Sequence, residues 1–297
     1  VKISGFSFAR NAQKYDYPIT ESILSVLPIC DEFIIAIGKG DKDDKTRDLV
    51  LSINSNKIKV IDTVWKNRET LKGAIYSEQT NIALSYCTGD FCFYIQADEV
   101  LHEKYLDIVY KRCEQFLNNK NVEGLLFDYK HFYGDYNHIQ DGHGWYKYEI
   151  RIIRNNIGIS SFGDAQSFRK HGKKLKVVKA NAEIFHYGYV RNPFLMQNRN
   201  LEVETTYHGE ETAKKTIQKK GDFFDFGSLD KLTLFTQTHP KVMERRIKEM
   251  NWSHLLKSNS TKSNQKLKHR ILTWIEKKFF RGKHIGAYKN YILIKEK

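Results

Sequence analysis

Residues 89–103 read GDFCFYIQADEVLHE, and they hold the chain's best candidates for chemistry. Phe91 to Ile95 is an unbroken apolar run, the pattern of a strand buried on both faces. It stops at Gln96-Ala97-Asp98-Glu99. Acids at the carboxyl end of a buried strand stand where open α/β sheets bind their ligands. Ala97 is small, so Asp98 and Glu99 can approach a bulky anion through a divalent ion. A polar turn that merely closes a hydrophobic strand is the plainer alternative.

Those acids need a sheet behind them. Strands are expected at Lys2 to Phe8, Glu32 to Ile37 and Ile58 to Thr63, ahead of the run at Phe91. Helices are expected at Thr20 to Leu27, with Thr20 as N-cap, at Arg47 to Asn54, and at Glu78 to Tyr86. The first 100 residues thus read as βαβαβαβ, a parallel, doubly wound sheet. Loops at its carboxyl edge should share one crevice: Ala9-Arg10-Asn11, residues 38–44, residues 65–73 and residues 96–99. These loops contain no GxGxxG after the first strand, and no GxxxxGK[ST] occurs anywhere. An acid-plus-metal site for a diphosphate fits them better than a glycine-rich phosphate loop.

The chain has 297 residues, 40% of them hydrophobic, enough for one large α/β domain or two ordinary ones. Aromatic content of 13% suits ring stacking on ligands, although tyrosine-rich packing accounts for it as well. A net charge of +14 suggests nucleic acid until it is located. Residues 241–297 carry 16 Lys and Arg against 4 acids, a surplus of 12, which leaves +2 for the first 240 residues. The body is nearly neutral, and no nucleic-acid partner is expected. Cys30, Cys87, Cys92 and Cys113 lack metal-ligand spacing and read as reduced thiols of a cytoplasmic protein. No apolar run approaches the ~18 residues of a membrane span, and VKISGFSFARNA has no signal-peptide core.

Several segments, in this order, resemble one family. They are SFARNA (7–12), GKGDKDDKT (38–46), SEQTNIALSYCTGDF (77–91) and YIQADEVLHE (94–103). WYKYEIRIIRN (145–155), SSFGDAQSFR (160–169) and FHYGYVRNP (185–193) continue the series. Together they resemble a family 2 glycosyltransferase with the GT-A fold over residues 1–200, and THPKVMERRIKEMNW (238–252) extends the likeness. The resemblance implies an α/β, Rossmann-like and mostly parallel sheet flanked by helices. A GT-A domain would span 1–240, with a nucleotide-sugar half to about 100 and an acceptor half after it. Residues 241–297 would form a basic helical extension.

The implied activity is inverting transfer of a sugar from a nucleotide-diphospho-sugar to a hydroxyl on a glycan or other acceptor. Asp98 matches the last acid of the family's DxD motif and would bind Mn²⁺ or Mg²⁺ on the donor diphosphate. Gln96 replaces the first acid. An amide can hydrogen-bond ribose or a metal-bound water but cannot neutralise charge. Ala9, Arg10 and Asn11, with Asp41 and Asp43, would hold base and ribose. Which of Asp41, Asp43 and Asp44 makes the contact stays open, because the loop is longer than the family pattern. His186 in FHYGYVR would be the second metal ligand, or else a satisfied structural histidine. An imidazole beside a carboxylate suits Mn²⁺ better than Mg²⁺. Arg191 would pair with a diphosphate oxygen, or be an ordinary surface arginine.

A carboxylate base is needed for the attacking hydroxyl. Asp164 is preferred, then Glu149, which could instead pair with Arg151 or Lys147; Asp141 is a third candidate. Phe132, Tyr133, Tyr136, Trp145, Tyr146 and Tyr148 would pack on sugar faces if they are not core. Residues 257–265 read as a polar linker. Beyond it, Leu267, Ile271, Trp274 and Ile275 share a helical face with basic residues opposite. Packing of this helix on the body is the preferred expectation. Peripheral contact with the inner membrane face is the other. A nucleotidyltransferase-like enzyme and a non-catalytic sugar-nucleotide-binding protein are the competing classes.

Overall fold

A computed structural model describes residues 1–65, 72–218, 221–256 and 265–296. Most of the 65–73 loop and of the 257–265 linker lies outside them. The amino-terminal part alternates β1 (Ile3–Ala9), α1 (Ile19–Val26), β2 (Glu32–Gly38), α2 (Thr46–Leu51), β3 (Ile58–Thr63), α3 (Ala74–Ser85) and β4 (Phe91–Tyr94). The four strands lie parallel in the order β3-β2-β1-β4. Their apolar runs feed two cores at once. Phe33, Ile35, Phe91 and Phe93 point to one side of the sheet, while Ile34, Ala36, Cys92 and Tyr94 point to the other. All four cysteines are buried free thiols.

Three boundaries differ from expectation, the first being that α2 ends at Leu51 rather than Asn54. The N-cap of α1 is Pro18, so Thr20 sits inside the helix. Proline's fixed φ suits a helix start, and it displaces the weaker signal of Thr20. The third helix also begins a turn early, at Ala74 rather than Glu78.

The chain continues through β5 (Glu99–Leu101), α4 (Leu106–Phe116), β6 (Gly124–Tyr133), β7 (His138–Ile139), β8 (Tyr148–Arg154), β9 (Ile159–Phe162), β10 (Ser167–Lys170) and β11 (Lys173–Tyr189). Strands β8, β6 and β11 extend the sheet beyond β4, with β8 antiparallel to both neighbours and β11 parallel to β6. Six of these seven strands therefore run one way, the mostly parallel α/β sheet expected. The far part of β11 pairs with β5, setting His186 opposite Glu99. Sequence order reverses between β1 and β4, and a crevice opens at their carboxyl ends.

The remainder comprises α5 (Pro193–His208), α6 (Glu210–Gln218), β12 (Thr233–Leu234), α7 (Glu244–Lys248), α8 (Leu267–Phe279) and β13 (Tyr291–Leu293). The last strand adds to β11 in parallel, so the basic segment contributes to the main sheet as well as a helix. Helix α8 does rest on the body, but with the side opposite to the one expected. Thr273 Oγ1 accepts from the His143 backbone N–H at 2.8 Å, and Glu276 Oε1 accepts from His143 Nδ1 at 2.8 Å and from the Ile285 N–H at 2.7 Å. Leu267, Ile271, Trp274 and Phe279 are left 52–67% exposed. No described helix is long and apolar enough to cross a membrane.

Candidate functional site

The crevice holds a cleft of about 250 Å³. Its floor is Gln96-Ala97-Asp98 after β4, and one wall is Phe8, Ala9 and Arg10 at the end of β1. Phe8 stacks on Tyr76 at 5.9 Å between centroids, and Trp65 stands edge-on to Tyr76 at 5.7 Å. Helix α5 closes the other side with Arg199, Glu202, Val203 and Tyr207. Asp164 completes the rim from the turn between β9 and β10.

Asp98 and His186 come together as the resemblance implied. Strand β11 carries His186 back beside β5, where Asp98 Oδ2 lies 3.7 Å from His186 Nε2. That is too long for a hydrogen bond. The proton positions around it follow from the next histidine. His131 Nε2 lies 2.7 Å from the Tyr146 carbonyl, which can only accept, so this nitrogen carries the proton. His131 Nδ1 is then a bare acceptor, 3.0 Å from His186 Nδ1, which must donate to it. The proton of neutral His186 is thereby placed on Nδ1, and its Nε2 lone pair faces the Asp98 carboxylate. Burial lowers the pKa of both rings, which keeps them neutral.

Two acceptors facing each other, both nearly buried, are an arrangement that a shared cation would satisfy. Gly188 keeps room for it. A Cβ there would stand 2.7 Å from both Asp98 Oδ2 and His186 Nε2. Among the described residues, no group of three or more His, Cys, Asp or Glu could hold a metal. The protein offers two donors, and a ligand's oxygens would have to supply others, as is usual for Mg²⁺ on phosphates.

The remaining expected residues divide. Gln96 lines the cleft, but its Nε2 reaches the Ala165 carbonyl at 3.4 Å and the Tyr94 hydroxyl at 3.3 Å. It thus tethers the turn that presents Asp164. Ala165 holds a φ of +62°, a strained value for a residue with a Cβ. Asp164 receives the Tyr207 hydroxyl at 3.4 Å. Glu149 does not line the cleft. It is 2% exposed, Oε1 accepts from Gln166 Nε2 at 2.9 Å, and Oε2 has no partner. Burial pushes its pKa up to about 8, so it is mostly protonated at neutral pH. Its suggested partner Arg151 is taken by Glu99 instead, at 2.7 and 2.8 Å. Glu99 is likewise fully buried and cannot reach a ligand, contrary to the sequence reading. Asp141 belongs to the seat of α8, paired with Lys277 and Thr233.

Neither Asp41 nor Asp43 lines the cleft. Asp41 pairs with Lys14 and, at 3.5 Å, with Arg10; the Lys14 hydrogen bond lowers its pKa. Its N–H donates to Asn11 Oδ1 at 2.8 Å, so Asn11 clamps the acidic loop from behind. Asp44 is tied to the start of α2, accepting from Thr46 Oγ1 at 2.7 Å. Arg191 is fully buried, not a surface residue. Its guanidinium lies 4.4 Å over the Tyr17 ring, and its three nitrogens meet no hydrogen-bond acceptor. Tyr17 lines the cleft. Of the aromatics assigned to an acceptor, Phe132, Tyr133 and Tyr136 are core, and none of the six lines the cleft.

Sequence reasoning missed His131 and every contribution of α5. A histidine within GLLFDYKHFY reads as core, and α5 has no clear apolar stripe to show which side faces the cleft.

No protein-family model matches this sequence, and no curated protein matches it. Among solved structures, the chain is similar to S. aureus TarS at 18% identity and a TM-score of 0.40, over 74% of this chain and 42% of that one. It is similar to S. aureus TarS 1-349 in complex with UDP at 17% identity and a TM-score of 0.42, over 74% and 70%. A third is glucosyl-3-phosphoglycerate synthase from Mycobacterium tuberculosis with Mg²⁺ and uridine-diphosphate, at 18% identity and a TM-score of 0.28, over 44% and 43%. The chain spans less than half of the first and third of these, and at such scores the likeness is distant.

Proposed function

We propose that the chain is a GT-A glycosyltransferase that moves a sugar from a nucleotide-diphospho-sugar to an acceptor hydroxyl. The observation that carries this reading is the bare His186 Nε2 facing the Asp98 carboxylate at the floor of a switch-point cleft. Asp98 and His186 would hold Mn²⁺ or Mg²⁺, which as a Lewis acid would offset charge on the departing diphosphate. Arg191, buried behind the cleft-lining Tyr17 with its guanidinium 4.4 Å over that ring, would lend positive charge to this side of the cleft. The aromatic wall of Phe8, Trp65 and Tyr76 would take the base, with Arg10 and Glu202 near the ribose.

Three carboxylates among the described residues line the cleft: Asp98, Asp164 and Glu202. Asp98 faces His186, and Glu202 pairs with Arg10 at 2.6 Å. Asp164 is left to accept the proton of the attacking hydroxyl. A single displacement with one such base inverts the anomeric centre.

Calorimetric titration with nucleoside diphosphates, nucleoside triphosphates and sugar nucleotides, with and without Mn²⁺, tests the reading. A diphosphate at about 100 times its dissociation constant should stabilise the protein by roughly 2.7 kcal/mol. Asp98→Asn and His186→Ala should remove the Mn²⁺-dependent part of this binding and most sugar transfer. Undiminished Mn²⁺-dependent binding in both variants would overturn the site. Turnover of a triphosphate in preference to a sugar nucleotide would favour the nucleotidyltransferase class.

A further inference from the structure

We propose that the outward face of α8 is a docking surface for an anionic lipid bilayer, independent of the catalytic reading. The helix has two unlike sides. His269, Thr273 and Glu276, at spacings of four and three, turn toward the body, where Glu276 is 1% exposed. Leu267, Ile271, Trp274 and Lys278, at spacings of four, three and four, turn to solvent. Phe279 flanks them, its ring 6.0 Å from Trp274.

A helix seated by its polar side leaves its apolar side to a partner. The charge around that side selects which one. Lys268, Arg270 and Lys278 are exposed on this helix, within a segment of 16 basic residues and 4 acids. Two copies meeting face to face about a two-fold axis would set these cations against one another. An anionic surface attracts them and offers a hydrocarbon boundary to leucine, isoleucine and tryptophan. Lys278 lies 4.8 Å over the Trp274 ring, its stem along the aromatic face and its ammonium able to extend toward headgroups.

The test is co-sedimentation of the full chain with vesicles of phosphatidylcholine alone or enriched in phosphatidylglycerol. Binding is expected only with the anionic lipid, and should be released by salt, because the screening length is about 10 Å at 0.1 M. Ile271→Ser with Trp274→Ser should lower the partition coefficient roughly tenfold or more, with circular dichroism unchanged. Lys268→Glu with Lys278→Glu should abolish the preference for anionic lipid, and this pair decides the matter should the serine pair misfold. Equal binding of either pair and the parent, or no binding at low salt, overturns the proposal. Lipid-free self-association that the serine pair abolishes would assign the face to a second copy and overturn it too.

Discussion

Glu99 accepts from Arg151 Nε and Nη2, from the Tyr129 hydroxyl at 2.8 Å and from the Gln96 N–H at 3.1 Å. Asp98, one residue earlier, faces a bare histidine nitrogen at 3.7 Å. Both are acids in the same turn after β4, but Glu99 is enclosed with no exposed surface while Asp98 opens onto the cleft. A buried charge with every lone pair matched holds a structure in one geometry. An acceptor that opens onto a cleft and faces another acceptor adds little to the fold and is placed to meet a ligand. Within DEV the two roles sit side by side, which is why the pair could not be divided from composition.

The largest expected effect separates them. Glu99→Gln or Arg151→Met should each cost about 3–5 kcal/mol, since a buried charge loses its counterpart. Asp98→Asn should leave stability unchanged or raise it by about 1 kcal/mol, because an amide N–H can donate to His186 Nε2. Urea unfolding measures both, and a comparable loss in Asp98→Asn would end the distinction.

Asp164 and Glu149 extend the comparison to the base. Asp164→Asn should lower turnover by about 100-fold or more while nucleotide binding survives. Steady-state kinetics with a binding titration separates the two effects. Full turnover in the variant would remove Asp164 from the chemistry.

The last prediction concerns Glu149, buried and only half satisfied. Its folded-state pKa of about 8 exceeds the ~4.3 of an unfolded glutamate. The folded state therefore binds the proton more tightly, and this contribution is complete below about pH 4.3. It should fall by about 1.4 kcal/mol per pH unit as pH rises toward 8, and level off beyond. Glu149→Gln removes the titration, so its stability relative to the parent should rise across that window. Parallel stability profiles from pH 4 to pH 9 would show that Glu149 titrates normally.

Much of the sheet was legible because β2 and β4 are apolar without interruption, and their loops fall where a doubly wound order puts them. The Asp98–His186 pair was reached through family likeness. Its tautomeric logic was not, because His131 is 55 residues from His186 and lies in a strand that reads as core. The α5 wall escaped for lack of periodicity. The side on which α8 sits escaped for another reason. Its amphipathic pattern is real, but Glu276 meets a polar seat at His143 that no local window contains. Gln96 looked like a weakened metal ligand and proves to tie down a turn, through a carbonyl 69 residues away.

The sheet order also sets a timetable. Strand β4 is flanked by β1, made before it, and by β8, which begins 54 residues later. At about 5–20 residues per second, a ribosome needs roughly three to eleven seconds to deliver that partner. During that interval Phe91 to Tyr94, wholly buried in the finished protein, presents an open apolar edge to the cell. Until β8 has been synthesised, that edge is open to pairing with another chain.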